Sequence, residues 1–213
     1  MDKNKAYWNT RFLKEGKIWG EFPSKSALCA LELFKKYKIQ KILIPGSGYG
    51  RHTKFFSKNN YKVIGIEISD IAIEMAKKFD SRTEFFNCSV LDMEFIDEYF
   101  DAIYCFNTLH LFLRDERLLF LRKCFDQLIK NGLNFLTVFS ERESSFGQGK
   151  ELEMNTFESN PGGPTHYFTE KDLIEQFKNY NILETGILKE QENHGEKGSH
   201  IHLLRYIFAQ KRI

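Results

Sequence analysis

The run Lys41-Ile-Leu-Ile-Pro-Gly-Ser-Gly-Tyr-Gly-Arg51 constrains this chain more than any other stretch. A short apolar run, Ile42 to Ile44, feeds a loop with glycine at 46, 48 and 50. A helical pattern follows, from about Arg51 to Lys58, and a second apolar run, Val63-Ile-Gly-Ile, ends on the carboxylate of Glu67. Short apolar runs bounded by turn residues read as buried strands. Strand, glycine turn, helix and acid-tipped strand together predict an open α/β sheet. Glycines let the backbone pass close to a ligand, and a helix N-terminus offers free N–H groups. Such a turn can hold a nucleoside-bearing cofactor.

The rest of the chain keeps alternating. Pro23-Ser24 opens a helix whose stripe is Ala27, Leu28, Leu31 and Phe34. Strands are predicted at about 41–45, 61–67, 83–88 and 101–106, with a helix at about 70–79 capped by Ser69 or Asp70. A helix at about 115–129 presents Leu118, Leu121, Phe125 and Leu128, and Asn131-Gly132 stops it before a strand at 133–139. Residues 141–168 show no sustained period and carry four glycines and two prolines, which reads as a long loop acting as a lid or a binding segment. Thr169 caps a helix at about 170–178. Strands at about 180–188 and 200–209, joined by a short polar turn, read as an antiparallel hairpin.

At 213 residues the chain is expected to form a single domain, 1–213, with 1–22 as an N-terminal cap and 141–168 on the acceptor side. A net charge of +2 does not argue for a nucleic-acid groove or an anionic membrane surface. No apolar run approaches the length of a membrane helix, and no apolar core follows the charged start, so a cytoplasmic monomer or homodimer is expected. The four cysteines, Cys29, Cys88, Cys105 and Cys124, are widely spaced and read as buried free thiols.

The glycine spacing discriminates between cofactors. A dinucleotide fingerprint needs a third glycine for helix–strand packing, and that position is Arg51 here. The spacing is instead GxGxG, Gly46-Ser47-Gly48-Tyr49-Gly50, which suits S-adenosylmethionine, with Glu67 taking the ribose hydroxyls. On these residues the chain resembles the class I S-adenosylmethionine-dependent methyltransferases. Phe86 to Phe95 resembles their adenine-binding segment, Tyr99 to His110 their fourth strand and the loop beneath the cofactor, and the late hairpin their reversed last strand. The Pro-Gly-x-Gly-x-Gly-Arg loop and the N-terminal Tyr7-Trp8-Asn9-Thr10-Arg11-Phe12 with Trp19-Gly20 are similar to the small-molecule members, of the thiopurine, thiol and halide group and the tellurite-resistance type.

That resemblance implies a Rossmann-like, doubly wound, seven-stranded sheet, mostly parallel with a late antiparallel hairpin strand. It implies cofactor contacts from Gly46, Ser47, Gly48, Gly50, Arg51, Glu67, Ile68, Ser89, Val90, Asp92 and Asn107. Two departures stand out: Ile44 precedes the proline where an acid is usual, and Ser89 replaces the usual acid of the adenine segment. Contact to the methionine amino group then falls to backbone carbonyls and Asn107.

The acceptor side is less specified. Arg11, His110 and His194 are the candidate catalytic groups, with His110 the best-placed general base if one is needed. His166 and Arg205 are further cationic or imidazole candidates. His200 and His202 share one face of a strand, but no carboxylate or cysteine pattern completes a metal site. The absence of a compelling carboxylate base leans toward a small, soft anionic acceptor of the thiol, tellurite or selenite type. An NAD-linked oxidoreductase and a non-catalytic cofactor-binding module remain alternatives at this point.

Overall fold

The computed structural model describes residues 3–93, 99–159, 163–193 and 198–212. Helices α1 (Lys3–Glu15) and α2 (Lys25–Lys36) precede β1 (Lys41–Pro45), α3 (Arg51–Lys58), β2 (Lys62–Glu67), α4 (Asp70–Phe79), β3 (Glu84–Asn87) and β4 (Phe100–Phe106). A 3₁₀ turn, Leu109–Leu111, leads to α5 (Arg114–Gln127) and β5 (Leu128–Phe139). Three short strands follow, β6 (Glu151–Glu153), β7 (Thr156–Ser159) and β8 (Gly163–His166). The chain then forms α6 (Glu170–Gln176) and the hairpin of β9 (Tyr180–Asn193) and β10 (Ser199–Lys211).

The main sheet has seven strands in the order β3-β2-β1-β4-β5-β10-β9. Strands β1 to β5 pair in parallel, and β10 runs antiparallel to both β5 and β9. This is the Rossmann-like sheet expected from the sequence. The strand order reverses between β1 and β4, and ligands bind such sheets in the crevice at the carboxyl ends of the strands beside the reversal. The glycine loop, Glu67, the segment after β3 and Asn107 all sit at those ends.

Alternation along β1 sorts the core onto two faces. Leu43 packs with Phe120, Leu121 and Phe177 from α5 and the end of α6. Ile42 and Ile44 pack on the other face with Leu31, Phe34 and Phe56 from α2 and α3. A third cluster joins Phe12 of α1, Tyr49 of the glycine loop and Ala72 of α4. The caps follow local chemistry: Ser24, Ser69 and Thr169 accept from the backbone N–H groups of Ala27, Ala72 and Asp172. Each such cap stabilises its helix by about 0.5–2 kcal/mol.

Several expectations change. Leu28 and Leu118 are exposed, and α5 instead buries Arg117, Phe120, Leu121 and Cys124. Arg117 can be buried because its guanidinium donates to the Phe112 carbonyl at 2.7 Å and pairs with Glu153. Helix α5 ends at Gln127, and Asn131 lies inside β5 in the left-handed region, φ 61°. There the residues between Leu128 and Leu133 bulge out of the pairing with β4. Residues 141–168 are not a plain loop: β6, β7 and β8 form a small antiparallel sheet. Strands of three or four residues are too short to display a period of two. Cys105 and Cys124 are buried, but Cys29 is exposed and Cys88 half-buried. No described helix is long and apolar enough to cross a membrane.

Candidate active site

The glycine loop has one close approach and one open side. Gly46 has φ 68°, and a Cβ there would run into Thr108 Oγ1 below β4. Gly48 has φ 55°, and its added Cβ would meet only Phe12, at 3.6 Å. The Ser47 N–H donates to the Ile66 carbonyl at 2.9 Å, which ties the loop to β2. Glu67 accepts from the N–H of Gly48 and from the N–H of Ser69, each at 2.9 Å. Burial raises the Glu67 carboxyl above the ordinary range, while the N–H groups of Ser69, Gly48 and Ile68 pull it back. Each carboxylate oxygen keeps capacity for a second donor, so the acid at the end of β2 can still take hydroxyls.

These residues open onto one cavity of about 870 Å³. Gly46, Ser47, Gly48, Arg51, Glu67, Ile68, Ser89, Val90 and Asn107 all line it. Ser47 Oγ is buried with no hydrogen-bond partner among the described residues. Ser89 Oγ accepts from the Leu91 N–H at 3.1 Å, which shapes the turn after β3. Asn107 takes φ 52°, and its side-chain carbonyl accepts from Thr137 Oγ1 at 3.0 Å. Two expected contacts are not brought together with the rest. Asp92 is exposed and does not line the cavity; it follows the turn and points to solvent as a loop acid. Gly50 also lies off the cavity lining and begins α3 with φ 88°. Its glycine serves the turn, since an added Cβ would press on Ala76 at 3.3 Å.

Arg51, whose position rejects a dinucleotide fingerprint, is fully engaged. Its guanidinium donates to the Trp19 carbonyl at 2.9 Å and to Glu192 of β9 at 2.7 Å, and lies over the Phe106 ring. Both side chains are buried, at 9% and 4% exposure. The cation joins glycine loop, N-terminal segment and hairpin.

The other end of the cavity is aromatic. The His110 ring stacks on Phe139 at 4.2 Å, and His202 stacks on Phe139 at 4.9 Å. Tyr167 packs beside Phe139 and donates to Ser145 Oγ. Across the mouth, Trp8 and Trp19 flank the Arg11 guanidinium at 5.5 and 5.4 Å, and Trp19 stacks on Tyr49. Arg11 also makes a loose pair with Glu15 at 3.5 Å.

The histidines divide by environment. Burial, with His202 and His166 nearby, pushes His110 down to about 3. It is therefore a neutral, weakly basic imidazole, which does not suit the general-base role expected of it. His202 is buried, lines the cavity, and its Nδ1 meets Glu143 Oε2 at 3.1 Å. Glu143 also accepts from the Leu203 N–H. His200 is exposed and packs edge-on against His202 at 4.2 Å. His166 is held at both nitrogens, by Thr156 at 2.7 Å and Asp172 at 2.6 Å, and fixes β8 to α6. Arg205 grips Glu141 and the Phe168 carbonyl and does not line the cavity. Both are structural rather than part of an acceptor site. His194 lies outside the described residues. Among the described residues no group of His, Cys, Asp and Glu could hold a metal ion.

Glu143 and Glu192 were not foreseen from the sequence. One signal existed for the hairpin: β9 carries acids at 190 and 192 where β10 carries histidines at 202 and 200, and these pair across the ladder. Glu143 had none, because its partner lies 59 residues away.

The chain was compared with known proteins. Residues 43–136 match the family model described as a methyltransferase domain. No curated protein matches the chain in sequence. Similar solved structures include a protein described for the conversion of a disulfide bond into a thioacetal group during echinomycin biosynthesis, 18% identical, TM-score 0.77, covering 98% of this chain and 91% of that one. Another is the 1,6-didemethyltoxoflavin-N1-methyltransferase of Burkholderia thailandensis, with bound 1,6-didemethyltoxoflavin and S-adenosylhomocysteine. It is 18% identical, TM-score 0.72, covering 98% and 87%. TehB from Haemophilus influenzae is 16% identical, TM-score 0.68, covering 96% of this chain and 67% of that one.

Proposed function

We propose that this chain is a class I S-adenosylmethionine-dependent methyltransferase, a reading supported by the methyltransferase-domain match over residues 43–136 and by the fold, and that it methylates a soft nucleophile on a small molecule. Thiols are the leading acceptor class, with tellurite and selenite as alternatives of the same soft kind. One observation carries the reading: the cofactor loop and an aromatic wall share one cavity, roofed by Trp8, Arg11 and Trp19. Its volume of about 870 Å³ lies toward the upper end of the range for small-molecule sites. A protein or nucleic-acid acceptor would favour an open groove instead.

S-adenosylmethionine, when bound, supplies a methyl group on a sulfonium sulfur. The chain's residues fit it: Gly48 is open on the side a Cβ would take, Ser47 Oγ has no hydrogen-bond partner among the described residues, and Glu67 offers a carboxylate at the end of β2. In this reading Glu67 holds the ribose hydroxyls and Ile68 packs beneath them. Ser89 and Val90 flank the base, and Asn107 with the loop backbone receives the amino-acid end.

Trp8, Phe12 and Trp19 keep water from the reacting atoms, which strengthens every electrostatic interaction inside. Phe139, Tyr167 and the neutral His110 form a polarisable wall that orients a sulfur or a flat ring without ion pairing. Arg11, at the mouth, meets an anionic group on the acceptor. Ser145, Pro164, Thr165 and Tyr167, from the segment after β5, line the acceptor side. The likeness to a protein described for the conversion of a disulfide bond into a thioacetal group supports a sulfur acceptor, and the likeness to an N1-methyltransferase is the reason small amines stand in the test panel. Transfer of labelled methyl from S-adenosylmethionine to a panel of thiols, tellurite, selenite and small amines tests it. Turnover on thiols or the chalcogen anions is expected; turnover confined to amines or protein side chains overturns it.

A further inference from the structure

Helix α1 roofs the cavity on a narrow footing. Tyr7, Trp8, Arg11 and Phe12 line the cavity. Phe12 is the buried residue of the helix, packed with Tyr49 and Ala72. A second contact is polar and lies outside the cavity, on the stripe of Lys5 and Asn9. The Asn9 side-chain carbonyl accepts from Ser69 Oγ at 2.7 Å and from the Ile71 N–H at 3.4 Å, and its amide nitrogen donates to Asp70 at 3.4 Å. A backbone N–H only donates, so it fixes which amide atom is the oxygen. Lys5 pairs with Asp70 at 2.8 Å. Ser69 in turn donates its N–H to Glu67. One asparagine thus ties the roof to the turn that follows the carboxylate of the cofactor site.

The stretch after α1 is held differently. Ile18 is buried, Lys17 lies over the Phe79 ring at 3.8 Å, and the carbonyls of Trp19 and Gly20 accept from Arg51 and from Tyr49 Oη. Between the helix and this anchored stretch stands Gly16, with φ 63° and open space where a Cβ would sit. A left-handed glycine without steric neighbours lets the chain change direction. An element with few buried apolar contacts opens locally well before the core does.

We infer that α1 is a lid on the cofactor, hinged at Gly16 and latched by Asn9 on the turn after Glu67, and that cofactor enters and leaves only while the latch is open. The inference rests on the reading of the cavity as an S-adenosylmethionine site and adds a gate to it. Asn9 is a positioning residue and does not line the cavity. A gate slows entry and exit alike, so releasing it raises both rates and leaves affinity nearly where it was. Damage to the binding site itself would raise release alone.

The two tryptophans of the chain, Trp8 and Trp19, both line the cavity, so stopped-flow fluorescence can follow the binding and displacement of S-adenosylhomocysteine. Asn9→Ala should raise the association and release rates together by about 3–10-fold, with Kd little changed. Lys5→Met cuts the second tie and should act the same way more weakly; it decides if N9A does not fold. Leu13→Ala, at an exposed position of the same helix outside latch and cavity, should behave as wild type. Hydrogen exchange gives a readout without ligand: α1 amides should exchange faster than those of β1, and N9A should speed α1 alone. Unchanged rates in N9A and K5M, a rise in release without one in association, an equal rise in L13A, or α1 amides as protected as β1 overturn the lid. Wild-type protein that does not bind S-adenosylhomocysteine overturns the cofactor reading beneath it.

Discussion

Replacing Arg51 by methionine tests whether the glycine loop is held by an interior ion pair. The Arg51–Glu192 contact is 2.7 Å long, with side chains 9% and 4% exposed, so solvent screens it little. Arg51→Met keeps much of the side-chain volume but leaves Glu192 without its cation. Breaking a buried pair from one side costs about 3–5 kcal/mol. For a chain of this size each kcal/mol moves Tm by about 2–4 °C, so R51M should melt on the order of 10 °C lower. The double variant R51M/E192L removes both charges and leaves the Trp19 carbonyl without its donor. An orphaned carbonyl costs about 1–3 kcal/mol. The double variant should therefore be more stable than R51M alone. Urea unfolding with matched m-values measures both. A loss in R51M below about 1 kcal/mol, the value of a solvated pair, would refute the argument. So would a double variant no better than the single. If Arg51 instead waited for a ligand phosphate, R51M would lose binding while keeping its stability.

Three further outcomes follow from the same geometry. Glu67→Gln places an amide where two N–H groups now find a carboxylate, and a hydrogen bond to a charged group is worth about 1.5–3 kcal/mol. Affinity for S-adenosylhomocysteine should fall about 10–100-fold by calorimetry, and an unchanged affinity would remove Glu67 from the cofactor site. Gly46→Ala forces a Cβ against Thr108 at φ 68°. It should destabilise by more than about 1 kcal/mol and abolish the thermal shift given by S-adenosylhomocysteine, whereas NAD should shift neither protein. His110 sits at about 3 instead of 6.5 because burial disfavours its cation. Between those values the unfolded chain binds a proton that the native one refuses, so stability falls as pH falls through that window. Urea midpoints should show about 2 kcal/mol lost to this group between pH 7 and pH 5. H110N should remove that share while buried His52, also lowered, keeps its own; identical pH dependence in H110N would refute the assignment.

The cofactor half of the site was legible because it is local. Lys41 to Ile68 spans two strands and one helix, and the chemistry of the key positions shows in their residue type: glycine where φ is positive, an acid where the strand ends. Asp92 and Gly50 do not line the cavity: spacing alone does not say which side of a turn faces it. The acceptor half is assembled across the chain. Glu143 and His202 are 59 positions apart, and Arg51 and Glu192 are 141 apart. Neither pair leaves a trace in any window. Of the stripe predicted for α5 only Leu118 is exposed, and Arg117 beside it is buried by a carbonyl, a carboxylate and the Phe168 ring, partners that lie outside the helix's own periodicity.

The long pairs also explain why the two halves of the cavity act together. The same hairpin supplies Glu192 to the glycine loop and His202 to the acceptor wall, and these residues lie on adjacent strands with His200 opposite Glu192. A shift of β9 against β10 by one residue would turn Glu192 to the opposite face of the sheet, while β10 stays in register on β5. It would strand Arg51 as an unpaired buried charge. Register in this hairpin is therefore fixed by ion pairs at the cavity end as well as by Ile207 and Phe208 in the core. A substitution that loosens the hairpin should lower the affinity for S-adenosylhomocysteine measured by calorimetry, because Glu192 holds Arg51 beside the glycine loop.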